Sequence, residues 1–288
     1  MPPPWCPLVL PRRYRRALLL GLMSVACLFY AAVLEPNWLE IKALEVTLPH
    51  LPAAFEGYRL VHLTDIHADA WMTPKRLEKL VQQVNHQNPD LVVLTGDFVT
   101  NQAEVYGPTL MQLAALRATD KAIAVLGNHD VWSNRPLVAQ TLQAAGVKVL
   151  ENSLVVIEHQ GQSLVVGGIG DVWTGRDRLE DLLQQLPTAG CQILLVHEPD
   201  FAHQSAPTEK FDLQLSGHSH GGQVKIPLLG APKLPPYGQD YPFGRYQVGT
   251  MIQYTGRGVG MVRPRVRLNA RPELTVLTLH AGASPTEG

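Results

Sequence analysis

Short apolar runs recur along the chain, and each ends in polar residues. Arg59–Thr64 (RLVHLT), Leu91–Thr95 (LVVLT), Ala122–Leu126 (AIAVL), Gln192–Val196 (QILLV) and Asp212–Ser216 (DLQLS) read as strands. Helical signals fall between them. Thr73 and Pro74 open a helix as N-cap and first-turn proline, with Leu77, Leu80, Val81 and Val84 as its apolar stripe. Pro108–Ala118, Pro136–Ala145 (stopped by Gly146) and Arg178–Leu186 predict three more. Val147–Leu150 is a further strand, and Leu154–Glu158 with Leu164–Val166 flank a Gln-Gly-Gln turn as a hairpin. Met251–Thr255 and Glu273–His280 supply late strands. Alternation of strand and helix first, with hairpins later, predicts a layered α/β domain with mixed sheets.

The N-terminal pattern is different. Residues 1–16 contain Arg12, Arg13, Arg15 and Arg16 and no acid, and Ala17–Leu34 follows without a charge. These 18 residues are near the shortest helix that crosses a ~30 Å hydrocarbon core. Phe29, Tyr30 and Trp38 stand at the far end, where an interfacial belt lies. A cleaved signal peptide has a shorter apolar region and an Ala-x-Ala site after it. The arginine pairs also permit a twin-arginine signal, though the flanking residues match it loosely. The segment reads as a retained anchor. The positive-inside rule puts its N-terminus in the cytoplasm and the rest of the chain across the membrane, with the cytoplasmic face as the alternative. The expected organisation is a basic tail (1–16), a transmembrane anchor (17–34), a linker with a leading strand (35–54), a main domain (55–280) and a disordered tail (281–288).

Composition narrows the classes. Hydrophobic residues are 45% and charged residues 17%, against a usual ~25% charged, which excludes a disordered chain or a coiled coil. The formal net charge of -1 blends +4 in residues 1–16 with -5 in the remainder, so no basic footprint for nucleic acid exists. Three cysteines, Cys6, Cys27 and Cys191, make neither a disulfide scaffold nor a Cys-rich zinc site.

Five strands end in residues of metal-ligand type: Asp65-Ile-His67, Gly96-Asp97, Gly127-Asn128-His129-Asp130, His197-Glu198 and Gly217-His218-Ser219-His220. In open α/β sheets ligands bind beyond the carboxyl ends of the strands, so these five ends gather around one crevice. Each motif alone is an ordinary strand-to-loop junction; five together are not coincidence. Asp, Asn and His without Cys favour manganese, iron or zinc. On extended backbone, Asp65 and His67 point the same way, and so do His218 and His220.

In this order and spacing the motifs resemble the calcineurin-like metallophosphoesterases, over roughly residues 55–280. The start (EVTLPHLPAAFEGYRLVHLTDIH), the extended GHSHGGQV and the segment around Tyr254-Thr-Gly-Arg-Gly-Val-Gly resemble a membrane-associated bacterial branch, which includes enzymes acting on UDP-2,3-diacylglucosamine. The resemblance implies a four-layer αββα sandwich, an inner-membrane location and two divalent metal ions, manganese foremost, with iron or zinc as alternatives. One ion takes Asp65, His67, Asp97 and His220. The other takes Asp97, Asn128, His197 and His218, with Asp97 bridging. His129 donates a proton or stabilises the transition state, oriented by Asp130. Ser219 stands where Thr is also common and is not a ligand.

Phosphodiesters are anionic and water is a poor nucleophile. Paired metals neutralise the phosphate and lower the pKa of water. The expected activity is metal-dependent phosphodiester or pyrophosphate hydrolysis on a substrate that is lipid-linked, with an envelope phosphoesterase or a non-catalytic membrane module as alternatives. The expected partners are that phosphoester and the bilayer, not nucleic acid; the oligomeric state is open. Among weaker features, His62 reads as a core residue, and His50, His86, His159, His203 and His280 as surface or structural. Gly256–Gly260 reads as a turn. Arg257, Arg263, Arg265 and Arg267 form either a substrate-anion site or a solvated face. Trp71, Trp132 and Trp173 pack in the core or rim a lipid site. Residues 227–243 form a proline-rich loop positioned to border the site.

Overall fold

The computed structural model describes residues 11–282; residues 1–10 of the expected basic tail and 283–288 of the expected disordered tail lie outside the described residues. The main body is two stacked six-stranded sheets. The first orders its strands β1 (Glu40–Leu48), β12 (Glu273–Ala281), β2 (Tyr58–Leu63), β3 (Leu91–Thr95), β4 (Lys121–Val125) and β5 (Val147–Val149). All its pairings are parallel except β12 with β2. The second runs β10 (Gly244–Val248), β11 (Met251–Thr255), β9 (Leu213–Ser216), β8 (Cys191–Leu195), β7 (Gln162–Gly168) and β6 (Ser153–His159). Its outer pairings are antiparallel and its three inner ones parallel.

Alternation along the strands produces the layers. On β2, Leu60 packs between the sheets while Val61 and Leu63 pack against helices. On β8, Ile193 and Leu195 face the other sheet while Leu194 faces the opposite way, toward Leu182 and Phe201. Strands covered on both faces read as continuous apolar runs, as these did in the sequence. The first sheet is covered by α2 (Pro74–Asn85) and α4 (Asn128–Ala144), the second by α5 (Leu179–Leu183) and α6 (Ala202–Ser205). This is the expected four-layer αββα sandwich.

Several elements differ from expectation. In place of a helix over 108–118 there is a short α3 (Ala103–Tyr106) and a 3-10 stretch (Gly107–Ala115). Its buried Leu110 and Leu113 are three apart, which suits three residues per turn. The helix expected from Pro136 starts at Asn128 and breaks at Asn134 (φ -163°, ψ 82°). Asn134 Oδ1 accepts the Leu137 N–H, capping a second segment that has Pro136 in its first turn. The earlier turn, Asn128–Ser133, is a separate piece that carries site residues. Helix α5, Leu179–Leu183, is shorter than the expected 178–186. The hairpin forms with Gln160 and Gly161 as its turn, both at positive φ.

The N-terminal helix α1 spans Arg12–Phe29 and so includes the arginines. It continues as a π-turn (Tyr30–Leu34) and a 3-10 turn (Glu35–Asn37), and it is long and apolar enough to cross a membrane. Residues 35–54 hold the expected leading strand, β1. Glu35 and Pro36 are buried, and β1 pairs with β12 over its whole length.

Candidate active site and metal centre

The five motifs leave the carboxyl ends of β2, β3, β4, β8 and β9, all in parallel pairings. The reason their side chains converge differs from the extended-backbone expectation. Asp65, His67, Asp97, His218 and His220 all have φ between 50° and 69°, in the left-handed region. For a non-glycine residue that costs roughly 1–2 kcal/mol, and such strain gathers at functional sites. The motif glycines make room. A Cβ at Gly127 would strike Asp97 and the His197 ring, and one at Gly217 would strike Thr64 Oγ1 and Asp65 Oδ2.

Two groups result, both buried. His67 Nε2 lies 3.1 Å from His220 Nε2, and His220 Nε2 lies 3.3 Å from Asp65 Oδ1. On the other side, His197 Nε2 lies 3.1 Å from His218 Nδ1 and 3.2 Å from Asp97 Oδ2. Asp97 Oδ2 is also 3.5 Å from His67 Nε2, so Asp97 stands between the groups. Asn128 is buried beside Asp97 on the same cavity wall.

These residues fit divalent cations. His197 Nδ1–H donates to the Thr95 carbonyl (2.7 Å) and His218 Nε2–H to the Pro236 carbonyl (2.9 Å). Carbonyls only accept, so each ring carries a proton on its outward nitrogen and turns the other nitrogen inward. Burial opposes charge on His197, but Asp97 and Asp65 outweigh it and hold that ring protonated, well above its usual range; a cation between the facing nitrogens would take the place of that proton. Asn128 Oδ1 is buried without a hydrogen-bond partner. Burial pushes His67 down to about 3 and His218 down to about 4, keeping both rings neutral donors. Burial also opposes charge on Asp97, but His197 and His129 outweigh it and hold the carboxylate well below its usual range. Oxygen and imidazole donors without sulfur suit manganese, iron or zinc.

His129 is held at both ends. Its backbone N–H donates to Asp97 Oδ1 (2.9 Å), and its ring Nδ1–H donates to the Thr100 carbonyl (2.7 Å). Its orienting group is therefore Thr100, not Asp130 as expected. The Asp130 carboxylate instead accepts three backbone N–H groups, from Phe98, Val99 and Gly127. It ties the loop after β3 to the start of α4. Glu198, also in a motif, stays out of the cluster and accepts the N–H groups of Val172 and Trp173.

The pattern of the calcineurin-like phosphoesterase family matches residues 58–222, more than half of the chain. The chain belongs to this family. It is 34% identical over 254 residues to the metallophosphoesterase YkuE of Bacillus subtilis, covering 87% of this chain and 88% of that protein. It is 30% identical to the phosphodiesterase YaeI of Escherichia coli, covering 93% and 98%. A transmembrane protein with a metallophosphoesterase domain from Danio rerio is 27% identical over 92% of this chain and 63% of its own length. The family uses divalent metal ions, and this phosphoesterase is a metal-dependent hydrolase of phosphoester bonds.

Above the cluster the phosphoesterase has a cavity of about 490 Å³. Trp132 and Trp173 meet edge to face at 4.9 Å, and they continue to His129 (5.3 Å) and His218 (5.5 Å) as one aromatic wall. Pro232, Pro235 and Pro236 of the proline-rich loop also line it, as do Lys233 and Arg263. Trp71 lies elsewhere, under Arg76. The four arginines do not act as one group. Arg257 pairs with Glu40 and Glu273, and Arg265 pairs with Asp69. Arg267 is fully buried and donates to the carbonyls of Arg257, Gly258, Gly260 and Ala270. Only Arg263 lines the cavity. His62 is a core residue, bonded to Thr95.

The sequence reading missed the carbonyls of Thr95, Thr100 and Pro236. They act through backbone atoms, so no residue type signals them. Arg267 carried a side-chain signal, but burial decides its role.

Proposed function

We propose that this phosphoesterase is membrane-anchored and hydrolyses a phosphodiester or pyrophosphate of an amphiphilic, lipid-linked substrate at a dinuclear metal centre. The observation that carries the reading is the pair of buried groups, Asp65–His67–His220 and Asp97–His197–His218, with Asp97 reaching His67 of the first, beneath a largely apolar cavity. Asp65, His67, Asp97 and His220 would hold one metal, and Asp97, Asn128, His197 and His218 the other. Manganese is the expected ion, with iron or zinc as alternatives. Bound divalent cations supply Lewis acidity toward the phosphoryl oxygens and toward water.

The chain's own residues do the rest. Asp97 fixes the spacing of the two sites. His129, with Nδ1–H spent on Thr100, presents Nε2 to the substrate and as imidazolium hands its proton to the leaving oxygen. Asp130 holds the turn that carries His129. Trp132 and Trp173 take the apolar part of the substrate, and Lys233 and Arg263 meet a further anionic group.

UDP-2,3-diacylglucosamine-like lipids fit this description in chemistry. The arginines of α1 favour an exported domain, where nucleotide-linked lipids are absent, and so support a second reading as an envelope phosphoesterase. The test is turnover of bis-p-nitrophenyl phosphate by the purified full chain with Mn²⁺, Fe²⁺ or Zn²⁺, beside a C-terminal reporter fusion. Turnover that survives complete chelation ends the metal reading. A reporter active only outside ends the nucleotide-lipid reading.

A further inference from the structure

Glu198 belongs to a metal-ligand motif yet stays out of the cluster, so its burial, at 0% exposure, needs another reason. Its carboxylate oxygens accept the backbone N–H groups of Trp173 (3.0 Å) and Val172 (3.2 Å). Two residues on, Asp200 does the same for a different loop. Its carboxylate accepts the N–H groups of Gln239 (2.8 Å), Asp240 (3.1 Å) and Tyr241 (3.2 Å). The Asp200 N–H itself donates to the Tyr237 carbonyl (3.0 Å). Residues 172–173 and 239–241 lie outside strands and helices, so these two carboxylates are what satisfies their donors.

Both loops line the catalytic cavity, one with Trp173 and the other with Pro235 and Pro236. Both also touch the same candidate ligand, His218. The Trp173 ring meets it edge to face at 5.5 Å, and the Pro236 carbonyl accepts its Nε2–H (2.9 Å). The segment that bears the two carboxylates is itself fixed. The His197 carbonyl accepts the Gly217 N–H (2.9 Å), and the Pro199 carbonyl accepts from Gln214 Nε2 (3.2 Å). Pro199 and Phe201 are buried, and the proline ring locks its own φ. Four consecutive residues, His197 to Asp200, therefore hold one candidate metal ligand and the anchors of two cavity loops in a fixed relation.

We propose that Glu198 and Asp200 are positioning residues that set the selectivity of the cavity for phosphodiesters with a bulky apolar substituent. Glu198 holds Trp173, and through the edge-to-face pair also Trp132, at a set distance from the cluster. Asp200 holds Pro235 and Pro236 in the same way. Neither carboxylate lines the cavity, so both act through the loops they carry. A phosphate seated at the cluster then finds its apolar substituent already against the rings, without loops to order first. This rests on the reading of Trp132 and Trp173 as the apolar contact.

The test measures KM of the full chain with Mn²⁺ for bis-p-nitrophenyl phosphate and for methyl p-nitrophenyl phosphate, which lacks one aryl group. Glu198→Ala and Asp200→Ala are each expected to raise the first KM over the second by about five- to tenfold, the usual worth of an aromatic contact. Glu198→Gln keeps an oxygen for the Trp173 N–H and recovers most of that loss. In a Trp173→Ala background Glu198→Ala adds little, because it acts through that ring, whereas Asp200→Ala keeps its effect. The exciton signal of the Trp132–Trp173 pair in circular dichroism, identified by its loss in Trp132→Phe, fades in Glu198→Ala and persists in Asp200→Ala. An unchanged KM ratio in both alanine variants, folded and with normal metal content, overturns the proposal. So does a full effect of Glu198→Ala when Trp173 is absent. Should Glu198→Ala not fold, Asp200→Ala and the smaller shift in Glu198→Gln are read in the same way. A Trp173→Ala protein with an unchanged KM ratio sinks the apolar-contact reading itself, so the two failures are distinguished.

Discussion

His129 and Asp97 are joined by a hydrogen bond, yet they serve different steps and separate by mutation. Asp97 reaches both buried groups, whereas His129 touches Asp97 only through its backbone N–H. Asp97→Ala is therefore expected to lose bound metal and activity together. His129→Ala keeps that N–H and the metal, and slows turnover by about 10²–10⁴-fold, the usual worth of a positioned proton donor. Metal analysis beside steady-state kinetics checks both, and an H129A protein without metal contradicts the assignment. The identities of these residues were legible in the sequence because a strand followed at once by Asp, Asn or His is a short local pattern. Their backbone was not. Asp65 and His67 meet through left-handed turns at strand ends, and a φ of 50° at histidine is fixed by tertiary contact, not by residue type.

At the scale of the element, the turn Asn128–Ser133 and the loop after β3 behave as one unit because Asp130 stitches them. Its carboxylate accepts from Phe98, Val99 and Gly127, all buried. Removing it strands three donors. Asp130→Ala is expected to destabilise the protein by about 3 kcal/mol or more, read as a lower midpoint in denaturant unfolding. Asp130→Asn retains an oxygen for Phe98 and Val99 and loses only the Gly127 contact, so its loss is smaller. An Asp130→Ala protein of unchanged stability whose only defect is proton transfer would restore the role first expected for Asp130. Elements built from local rules were readable in advance: the proline-opened α2, the β6–β7 hairpin, and the apolar strands. The 3-10 stretch Gly107–Ala115 and the early start of α4 were not. The 3-10 stretch follows the three-residue spacing of its buried leucines, whereas at α4 the site residues Asn128 and His129 take the first turn and Asn134 restarts the helix with its own cap.

For the whole molecule, the sequence suggests an anchor ending at Leu34 with the chemistry separate from it. The structure joins them. Glu35 Oε1 accepts the Ala270 N–H (2.6 Å), and Ala31 O accepts the Arg267 N–H. The Arg267 guanidinium, buried and pushed down to about 10 by that burial, remains charged and gathers four carbonyls, two of them from Gly258 and Gly260. Gly260 N–H in turn donates to the Asp65 carbonyl (2.7 Å), and Val259 N–H donates to that of Thr64. A continuous set of hydrogen bonds thus runs from the end of α1 to a candidate metal ligand. Arg267→Met fills much of the same volume but leaves those carbonyls unpaired in a low-dielectric interior. It is expected to cost about 3–5 kcal/mol and to weaken metal binding as the Gly258–Gly260 loop relaxes away from Asp65. Arg263→Met, at the cavity wall, is expected to raise KM with stability and metal content unchanged. Thermal unfolding with and without Mn²⁺, run on both variants, separates the outcomes. If R267M lowered Tm but kept wild-type metal affinity, the network would be packing alone, with no hold on the site.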